Sequence, residues 1–402
     1  MYLSIEVTVM ESNNFIKYRE QLPALKKSIY LNTGGSGPLP IPILEEIKST
    51  YEYLATEGQI LIPVVNNMKA KAEKVRNTIA SFLGASPEEI SFTRCITEGI
   101  NTIAYAMDLQ RGDEVIISDQ ENPAFILPFL NLVHIKGIKV KKLKIENSIE
   151  KIIQNLKEII NTKTKLIALS HVTHVSGIQL PVTEICNIAH SMGILVAVDG
   201  AQACGQVDVN VKFLGCDFYL MTCHKWLCGP EGVGAMYIDE KTLGKIRPPF
   251  TGVGAQESFD FENDIIVFHD NAKKFEFGGR HLPLYHAMGK AIEFNAQIGI
   301  NNIVKRSREL AENLRYRLKG LKGLNIISPE NKELSTGIFT FFIENADHEL
   351  IVRRAAEKNI IIQWRTIDLI KKTKGIRVSL AWFITDEEIE TLTDFIEKTI
   401  KG

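Results

Sequence analysis

A short apolar run that stops at an acidic residue occupies residues 194–202, Ile194-Leu195-Val196-Ala197-Val198-Asp199-Gly200-Ala201-Gln202. A compact apolar run bounded by turn residues predicts a buried β-strand. A second run at residues 218–221 stops in the same way, at Thr222-Cys223-His224-Lys225. Both runs therefore predict buried strands whose ends carry polar side chains.

Helical and strand patterns alternate around these two runs, from about residue 70 to 240. Further strands are predicted at 90–93, 114–118, 140–145 and 166–169. Helices are predicted between them, at 69–82, 98–107, 125–135, 149–160 and 182–192. Repeated βα units imply a mostly parallel sheet covered by helices on both faces. The predicted fold class is α/β.

The chain changes character after about residue 290. Long helices at 287–298 and 303–318 lead to strands near 337–343 and 375–379, and a last helix at 386–398 follows a capping Thr385. This pattern predicts a smaller α+β domain. We expect an N-terminal segment (1–30) packed on the small domain, a large domain (31–285) and a small C-terminal domain (286–402).

The composition argues against several function classes. The 402 residues are 45% hydrophobic and 24% charged with a net charge of −1, so no basic field points to nucleic acid or an anionic membrane. No apolar run approaches the roughly 20 residues that span a bilayer, and the first residues lack a signal-peptide pattern. We therefore expect a cytoplasmic protein. The six cysteines show neither disulfide nor zinc spacing, so no metal is expected.

The polar strand ends supply the groups of a pyridoxal-5′-phosphate (PLP) site. In parallel sheets, ligands bind where the carboxyl ends of the strands meet. A PLP site needs a lysine to form a Schiff base and an acid to keep the pyridine nitrogen protonated. Lys225 and Asp199 follow two different strands and fit these two roles. Either residue alone would more often be a surface lysine or a turn aspartate.

Anion-binding groups are also present. Thr97-Glu98-Gly99 begins a predicted helix, whose free N–H groups suit a phosphate. Arg377, in Arg377-Val378-Ser379, is suited to a substrate carboxylate because a guanidinium binds both oxygens. Taken singly, a capping threonine and a surface arginine are the plainer interpretations.

Together with the glycine-rich turn Gly229-Pro230-Glu231-Gly232-Val233-Gly234, these motifs resemble the class V aminotransferase family of fold-type I PLP enzymes. That family includes cysteine desulfurases, cystine C–S lyases and isopenicillin N epimerase-like proteins. The resemblance runs from about Leu31 to the last helix. It implies a seven-stranded type of sheet in the large domain, and a homodimer with the active site at the interface.

The resemblance also implies a role for each matching position. Lys225 would hold the cofactor, Asp199 would pair with the pyridine nitrogen, and Gln202 would contact the phenolic oxygen. Arg377 would bind the substrate carboxylate. The phosphate would be held by Thr97, Glu98, Thr222 and His224. The loop at residues 32–38, which includes Gly35, matches the family's substrate-side loop.

Four positions depart from the family pattern. No cysteine follows Cys228, which disfavours desulfuration through a persulfide on a mobile cysteine. Asn122 stands where relatives stack a histidine on the ring, and His174 stands where they often carry asparagine; His174 is the candidate for the missing acid–base group. Gly279 replaces a threonine that donates to the partner subunit's phosphate, and Arg280 is the candidate for that contact.

The reaction is left open by these motifs. The substrate-side loop and Trp364-Arg365-Thr366-Ile367 look closest to the C–S lyase branch, with Arg365 as a second carboxylate contact. That branch performs β-elimination on cystine or cysteine. Transamination and epimerisation start from the same proton removal and remain alternatives. A non-catalytic protein with this fold is a third, which the retained Lys225 and Asp199 disfavour.

Overall fold

The computed structural model describes residues 13–368 and 373–401. The described strands are β1 (Ile29–Tyr30), β2 (Ile90–Thr93), β3 (Glu114–Ser118), β4 (Lys139–Leu143), β5 (Thr164–Ser170), β6 (Leu195–Asp199), β7 (Phe218–Thr222), β8 (Gly234–Ile238), β9 (Gln256–Asp260), β10 (Ile265–Phe268), β11 (Leu324–Ile326), β12 (Ile338–Ile343), β13 (Ile360–Ile361), β14 (Gln363–Asp368) and β15 (Thr373–Ser379). The described helices are α1 (Asn13–Arg19), α2 (Ile41–Glu57), α3 (Ile62–Leu83), α4 (Ile96–Ala106), α5 (Pro123–Lys136), α6 (Ile149–Ile159), α7 (Val182–Ser191), α8 (Val211–Leu214), α9 (Glu240–Leu243), α10 (Leu282–Ile298), α11 (Ile300–Leu318), α12 (His348–Glu357) and α13 (Asp386–Lys401).

A seven-stranded sheet with the order β2-β8-β7-β6-β5-β3-β4 forms the centre of the molecule. Its pairs are parallel from β7 to β4, and β8 is antiparallel to both β7 and β2. This arrangement confirms the predicted α/β class and the mostly parallel sheet. The carboxyl ends of β3, β5, β6 and β7 consequently lie at one edge, where the polar motifs follow.

Alternate residues of each central strand enter different cores, as the pleat of a strand requires. In β7, Tyr219 and Met221 pack with α3, α6, α7 and α10, whereas Phe218 and Leu220 pack with α4 and α5. Both faces of the sheet are therefore buried, which explains why these strands are apolar throughout. The first of these cores continues into the C-terminal part of the chain.

The C-terminal part is a four-stranded antiparallel sheet, β11-β12-β15-β14, packed with α11, α12 and α13. Helix α13 begins with the predicted cap: Glu388 N donates to Thr385 Oγ1 (3.2 Å), and Thr385 N donates to Glu388 Oε2 (2.9 Å). The smaller α+β unit is thus as predicted. Strand β14 was not predicted from the sequence.

The N-terminal segment contacts this smaller unit. Arg19 Nη2 forms an ion pair with Glu388 (2.8 Å), and Phe15 stacks on Trp382. Strand β1 pairs in parallel with β13. Residues 1–12 of the predicted segment lie outside the described part of the chain. The boundaries of the three predicted segments remain predictions.

A β-hairpin of β9 and β10, which the sequence did not predict, carries exposed apolar side chains that include Phe259 and Phe261. Its short strands are exposed on both sides, so they lack the apolar alternation that marks a half-buried strand. Among the described residues, no helix is long and apolar enough to cross a membrane.

Candidate active site

Lys225 lies in the loop after β7, at the carboxyl edge of the sheet, and is partly buried. Burial lowers the pKa of its ammonium to about 8; the charge of Asp199 opposes this shift, and the charges of Arg377 and Arg365 add to it. A depressed pKa increases the fraction of neutral amine, the form that attacks a carbonyl. The lysine predicted from the sequence therefore has the lowered pKa that formation of a Schiff base requires.

Asp199 is the last residue of β6 and is buried. Its Oδ1 accepts a 2.7 Å hydrogen bond from the Ala201 N–H. Burial raises its pKa, while the Lys225 charge and the Ala201 hydrogen bond lower it. A buried carboxylate in this setting is stabilised by a cation, which is what a protonated ring nitrogen provides.

Gln202 is anchored at both ends of its amide. Its Nε2 donates to the Gly34 carbonyl (2.9 Å), and its Oε1 accepts from Trp226 Nε1 (2.8 Å). The orientation of the amide is thereby fixed, and one Nε2 hydrogen remains to donate elsewhere. A contact with a phenolic oxygen remains compatible with this geometry.

The loop at residues 32–37 joins the lysine loop to β15. Gly34 N donates to Ser379 Oγ (2.9 Å), and Gly37 N donates to the His224 carbonyl (2.6 Å). A Cβ on Gly37 would stand 2.3 Å from the Lys225 carbonyl, so only glycine permits this approach. Gly35 lies in the turn between these contacts, with its N–H donating to the Asn32 carbonyl (2.8 Å).

His174 follows β5 and is held by the Gln120 carbonyl, 2.9 Å from Nδ1. Because a carbonyl only accepts, Nδ1 carries the proton and Nε2 keeps its lone pair. Burial, and then the charges of Arg377 and Arg365, lower the pKa of His174 to about 3. In the ligand-free protein this ring is a neutral hydrogen-bond acceptor.

Arg377 is a completely buried guanidinium on β15. Its Nη1 donates to the His174 carbonyl (3.2 Å) and its Nη2 approaches Asn32 Oδ1 (3.4 Å), while Nε has no partner. Burial and then the Arg365 charge lower its pKa to about 9. No ion pair forms between Arg377 and any carboxylate of the described residues, so the site can accept a ligand anion.

Arg365, on the adjacent strand β14, also has a buried Nε without a partner. Burial lowers its pKa. Two guanidinium groups that repel each other are stabilised together by one carboxylate between them. The two predicted carboxylate contacts therefore lie on neighbouring strands and act on each other electrostatically.

The predicted phosphate-binding part of the cofactor site lies at the start of α4. The cap residue, Cys95, makes no side-chain hydrogen bond to the helix, and Thr97 in the first turn is exposed. Burial would raise the pKa of Glu98, but hydrogen bonds from Arg94 and Arg280 outweigh it and lower that pKa. With its carboxylate committed to these arginines, Glu98 can offer a phosphate only its backbone N–H.

Arg280 lies against this helix of its own chain. Its side chain is 8% exposed, and its Nη1 is 3.1 Å from Glu98 Oε1. Nε and Nη2 are buried without partners, which fits a site for an additional anion. Gly279 is exposed and nothing within 4 Å faces its Cβ position. That Arg280 replaces the missing threonine at the partner subunit's phosphate remains a prediction.

Thr222 and His224 form a pair in the lysine loop, with Thr222 Oγ1 2.9 Å from His224 Nδ1. Burial, then the charge of Lys225, lowers the pKa of His224, while the Glu231 charge raises it. Both side chains remain candidates for the phosphate.

Asn122 caps a helix, a role that the sequence did not indicate. Its Oδ1 accepts from Ala124 N (2.9 Å) and caps α5. The residue before it, Glu121, is buried at the sheet edge and was not selected from the sequence. Its position three residues after the end of β3, among the polar strand ends, was the sequence signal that pointed to it.

The chain matches the sequence profile of the family Aminotransferase class-V over residues 29–392. It belongs to that family. The chain is 28% identical over 392 residues to the probable cysteine desulfurase of Methanothermobacter thermautotrophicus, covering 94% of this chain and 96% of the relative. It is 29% identical to the isopenicillin N epimerase of Amycolatopsis lactamdurans, covering 95% and 98%.

Solved structures agree with this placement. The cystine C–S lyase C-DES, in complex with cysteine persulfide, superposes with a TM-score of 0.87 at 25% identity, covering 94% of this chain and 99% of that one. Another C-DES structure carries glycine linked covalently to its PLP cofactor. This class V chain is therefore a PLP-dependent enzyme. The lysine, the buried acid and the unpaired arginine nitrogens of the described structure fit that cofactor.

Proposed function

We propose that this class V enzyme cleaves the C–S bond of a small sulfur amino acid by β-elimination. The observation that carries the proposal is the buried guanidinium of Arg377, which has no carboxylate partner among the described residues and acts electrostatically on Lys225. An α-amino acid bound there by its carboxylate would bring its α-carbon toward the lysine. Arg365 would share that carboxylate.

The thiols of the chain support elimination over persulfide transfer. No cysteine occurs after Cys228, so strands β14 and β15 and the segment between them offer no sulfur acceptor. Burial raises the pKa of Cys228 to about 12, and that of Cys204 to about 12. Thiols of this kind are protonated at neutral pH and are poor nucleophiles.

In the proposed reaction, the bound cofactor supplies the electron sink that acidifies the α-proton. Lys225 would hold the cofactor through its amine, and its Nζ would also accept the α-proton of the substrate. The Asp199 carboxylate would hold a proton on the ring nitrogen. Arg377 and Arg365 bind the carboxylate and fix which bond of the α-carbon faces Lys225.

We also propose which residues contact the cofactor. Thr97 and Glu98, through backbone N–H groups of α4, would hold the phosphate with Thr222, His224 and Arg280. Gln202 and His174 would face the phenolic oxygen, and Asn122 the ring. We further propose a cytoplasmic homodimer with the site at its interface, where Gly279 and the exposed apolar hairpin would be covered.

Epimerisation is a second candidate because of His174. Inversion at the α-carbon needs one group that removes the α-proton from one face and a second, protonated group that delivers a proton to the other face. The unprotonated Nε2 of His174 would remove the proton, and the Lys225 ammonium would deliver its own proton to the opposite face. The similarity to an isopenicillin N epimerase over 95% of the chain favours this candidate. In this alternative Lys225 and His174 act on opposite faces.

The deciding experiment is the visible absorption spectrum of the purified protein with L-cystine, L-cysteine and L-alanine, with pyruvate and sulfide assayed. Pyruvate from the sulfur amino acids supports the lyase. Solvent deuterium at the α-carbon with loss of optical activity, and no pyruvate, supports the epimerase. Conversion to the pyridoxamine form with alanine would instead indicate a transaminase.

A further inference from the structure

Glu121 is a buried acid that none of the steps above uses. Its Oε1 accepts from Ser118 Oγ and from Ser170 N (2.8 Å), and its Oε2 accepts from Ser170 Oγ. The side chain is thus enclosed by donors from two strand ends, because Ser118 ends β3 and Ser170 ends β5.

The position of Glu121 connects it to the proposed cofactor pocket on three sides. Ser170 pairs in register with Asp199 on β6. The preceding residue, Gln120, holds His174 through its carbonyl (2.9 Å). The following residue, Asn122, caps α5. Glu121 therefore lies next to the groups that hold His174, that cap α5 and that pair with the end of β6.

We propose that Glu121 is a positioning residue that releases a proton when a cationic ring binds at Asp199, so that cofactor binding is linked to proton release. The inference rests on the proposed pairing of Asp199 with the ring nitrogen. The step is a simple deprotonation: the carboxylic O–H of Glu121 breaks, its electron pair stays on the carboxylate, and the proton goes to solvent.

The surroundings of Glu121 bring its pKa close to neutral pH. Burial raises its pKa to about 7, hydrogen bonds from Ser118 and Ser170 oppose this, and the negative charge of Asp199 raises it further. A cation on Asp199 cancels that last effect and favours the ionised form. The serine hydroxyls can reverse from donor to acceptor, so both protonation states retain their hydrogen bonds.

The other titratable groups around this point differ in their behaviour. Burial lowers the pKa of His171 to about 4 and that of His174 to about 3, so both stay neutral near pH 7. Lys225 titrates near 8 and acts on Asp199. The titratable side chains at the surrounding strand ends are Asp119, His171, His174, Asp199 and Lys225.

The test is calorimetric binding of PLP to the cofactor-free full chain at pH 7, in buffers of different ionisation enthalpy, which counts released protons. Wild type should release more protons than Glu121→Gln, by at most about half a proton, because an acid with a pKa of about 7 is only half protonated at that pH. Glu114→Gln, a buried glutamate at the opposite end of β3, should match wild type. If wild type and Glu121→Gln released the same number of protons, the inference about Glu121 would be overturned and the proposed function would stand. If wild type did not bind PLP, the proposed function would be overturned as well.

A measurement without the cofactor checks the titration itself. A raised folded-state pKa means that the folded chain holds a proton that the unfolded chain has lost. The stability from Glu121 should therefore decline as pH rises from about 4.5 to about 7 and then stay constant, relative to Glu121→Gln. Should that variant fail to fold, Ser170→Ala removes a donor to the carboxylate and should move the decline to higher pH. If the stability of Ser170→Ala declined over the same pH range as that of wild type, the proposal would be contradicted.

Discussion

The guanidinium of Arg377 donates a 3.2 Å hydrogen bond to the backbone carbonyl of His174. These residues are 203 positions apart in the chain, one on the small antiparallel sheet and one in a loop of the large parallel sheet. The hydrogen bond joins the proposed carboxylate site to the proposed cofactor pocket. The charge of Arg377 also lowers the pKa of both His174 and Lys225.

Removal of the Lys225 amine should abolish attachment of the cofactor. Lys225→Ala is expected to lose the visible absorption of the Schiff base and all turnover, because Lys225 supplies the amine whose charge acts on Asp199. Lys241→Ala, an exposed lysine on α9, is the matched control and should behave as wild type. Full activity in Lys225→Ala would refute its role.

The pH dependence of cofactor attachment should report the pKa of Lys225. In the cofactor-free protein, the rate of attachment should rise with pH through about 8, where the amine becomes neutral. Asp199→Asn removes a charge that favours the ammonium, so the rise should move to lower pH. Arg377→Gln removes a charge that disfavours it, so the rise should move to higher pH. Shifts in the same direction would contradict this electrostatic assignment.

Loss of the Arg377 charge should weaken substrate binding. A hydrogen bond to a charged group contributes about 1.5–3 kcal/mol, so Arg377→Gln should raise the dissociation constant of the amino acid on the order of 10- to 100-fold. Spectral titration of the bound cofactor measures this constant. Arg315→Gln is the control, since Arg315 donates to the carbonyls of Ser328 and Pro329. An unchanged dissociation constant in Arg377→Gln would place the carboxylate elsewhere.

Arg280 should contribute to phosphate recognition. Arg280→Gln is expected to reduce the preference for PLP over pyridoxal, on the order of tenfold, because a charge-assisted contact to the phosphate is lost. Arg94→Gln removes the exposed partner of the same Glu98 and should retain the preference. The dissociation constants for PLP and for pyridoxal, measured for each variant, test this prediction. A preference retained in Arg280→Gln would assign Arg280 to the ion pair with Glu98 alone.

Asp199→Asn should separate the acid's role in catalysis from its role in folding. The amide keeps the shape of the side chain but cannot hold a proton on the ring nitrogen. General acid–base groups contribute about 10²–10⁴-fold, and we expect a fall in kcat of that order. The melting temperature of the cofactor-free protein should not fall, because a buried carboxylate is replaced by a neutral group. Wild-type kcat would refute the role.

The sequence by itself determined the fold class and the placement of Lys225 and Asp199 at one edge of the sheet. Strands such as β3 and β6 are apolar runs buried on both faces, and that pattern is local to the chain. Lys225 and Asp199 were found because each lies at, or shortly after, the end of such an apolar run. Residues at the ends of parallel strands share one edge whatever the details of packing.

Only the tertiary structure decided what surrounds that pair. The proton position on His174, the unpaired buried Nε of Arg377, the enclosure of Glu121 and the capping by Asn122 depend on hydrogen bonds and burial in the folded chain. Most of these contacts join residues far apart in sequence, and electrostatic shifts depend on distances in three dimensions, so residue patterns cannot contain them.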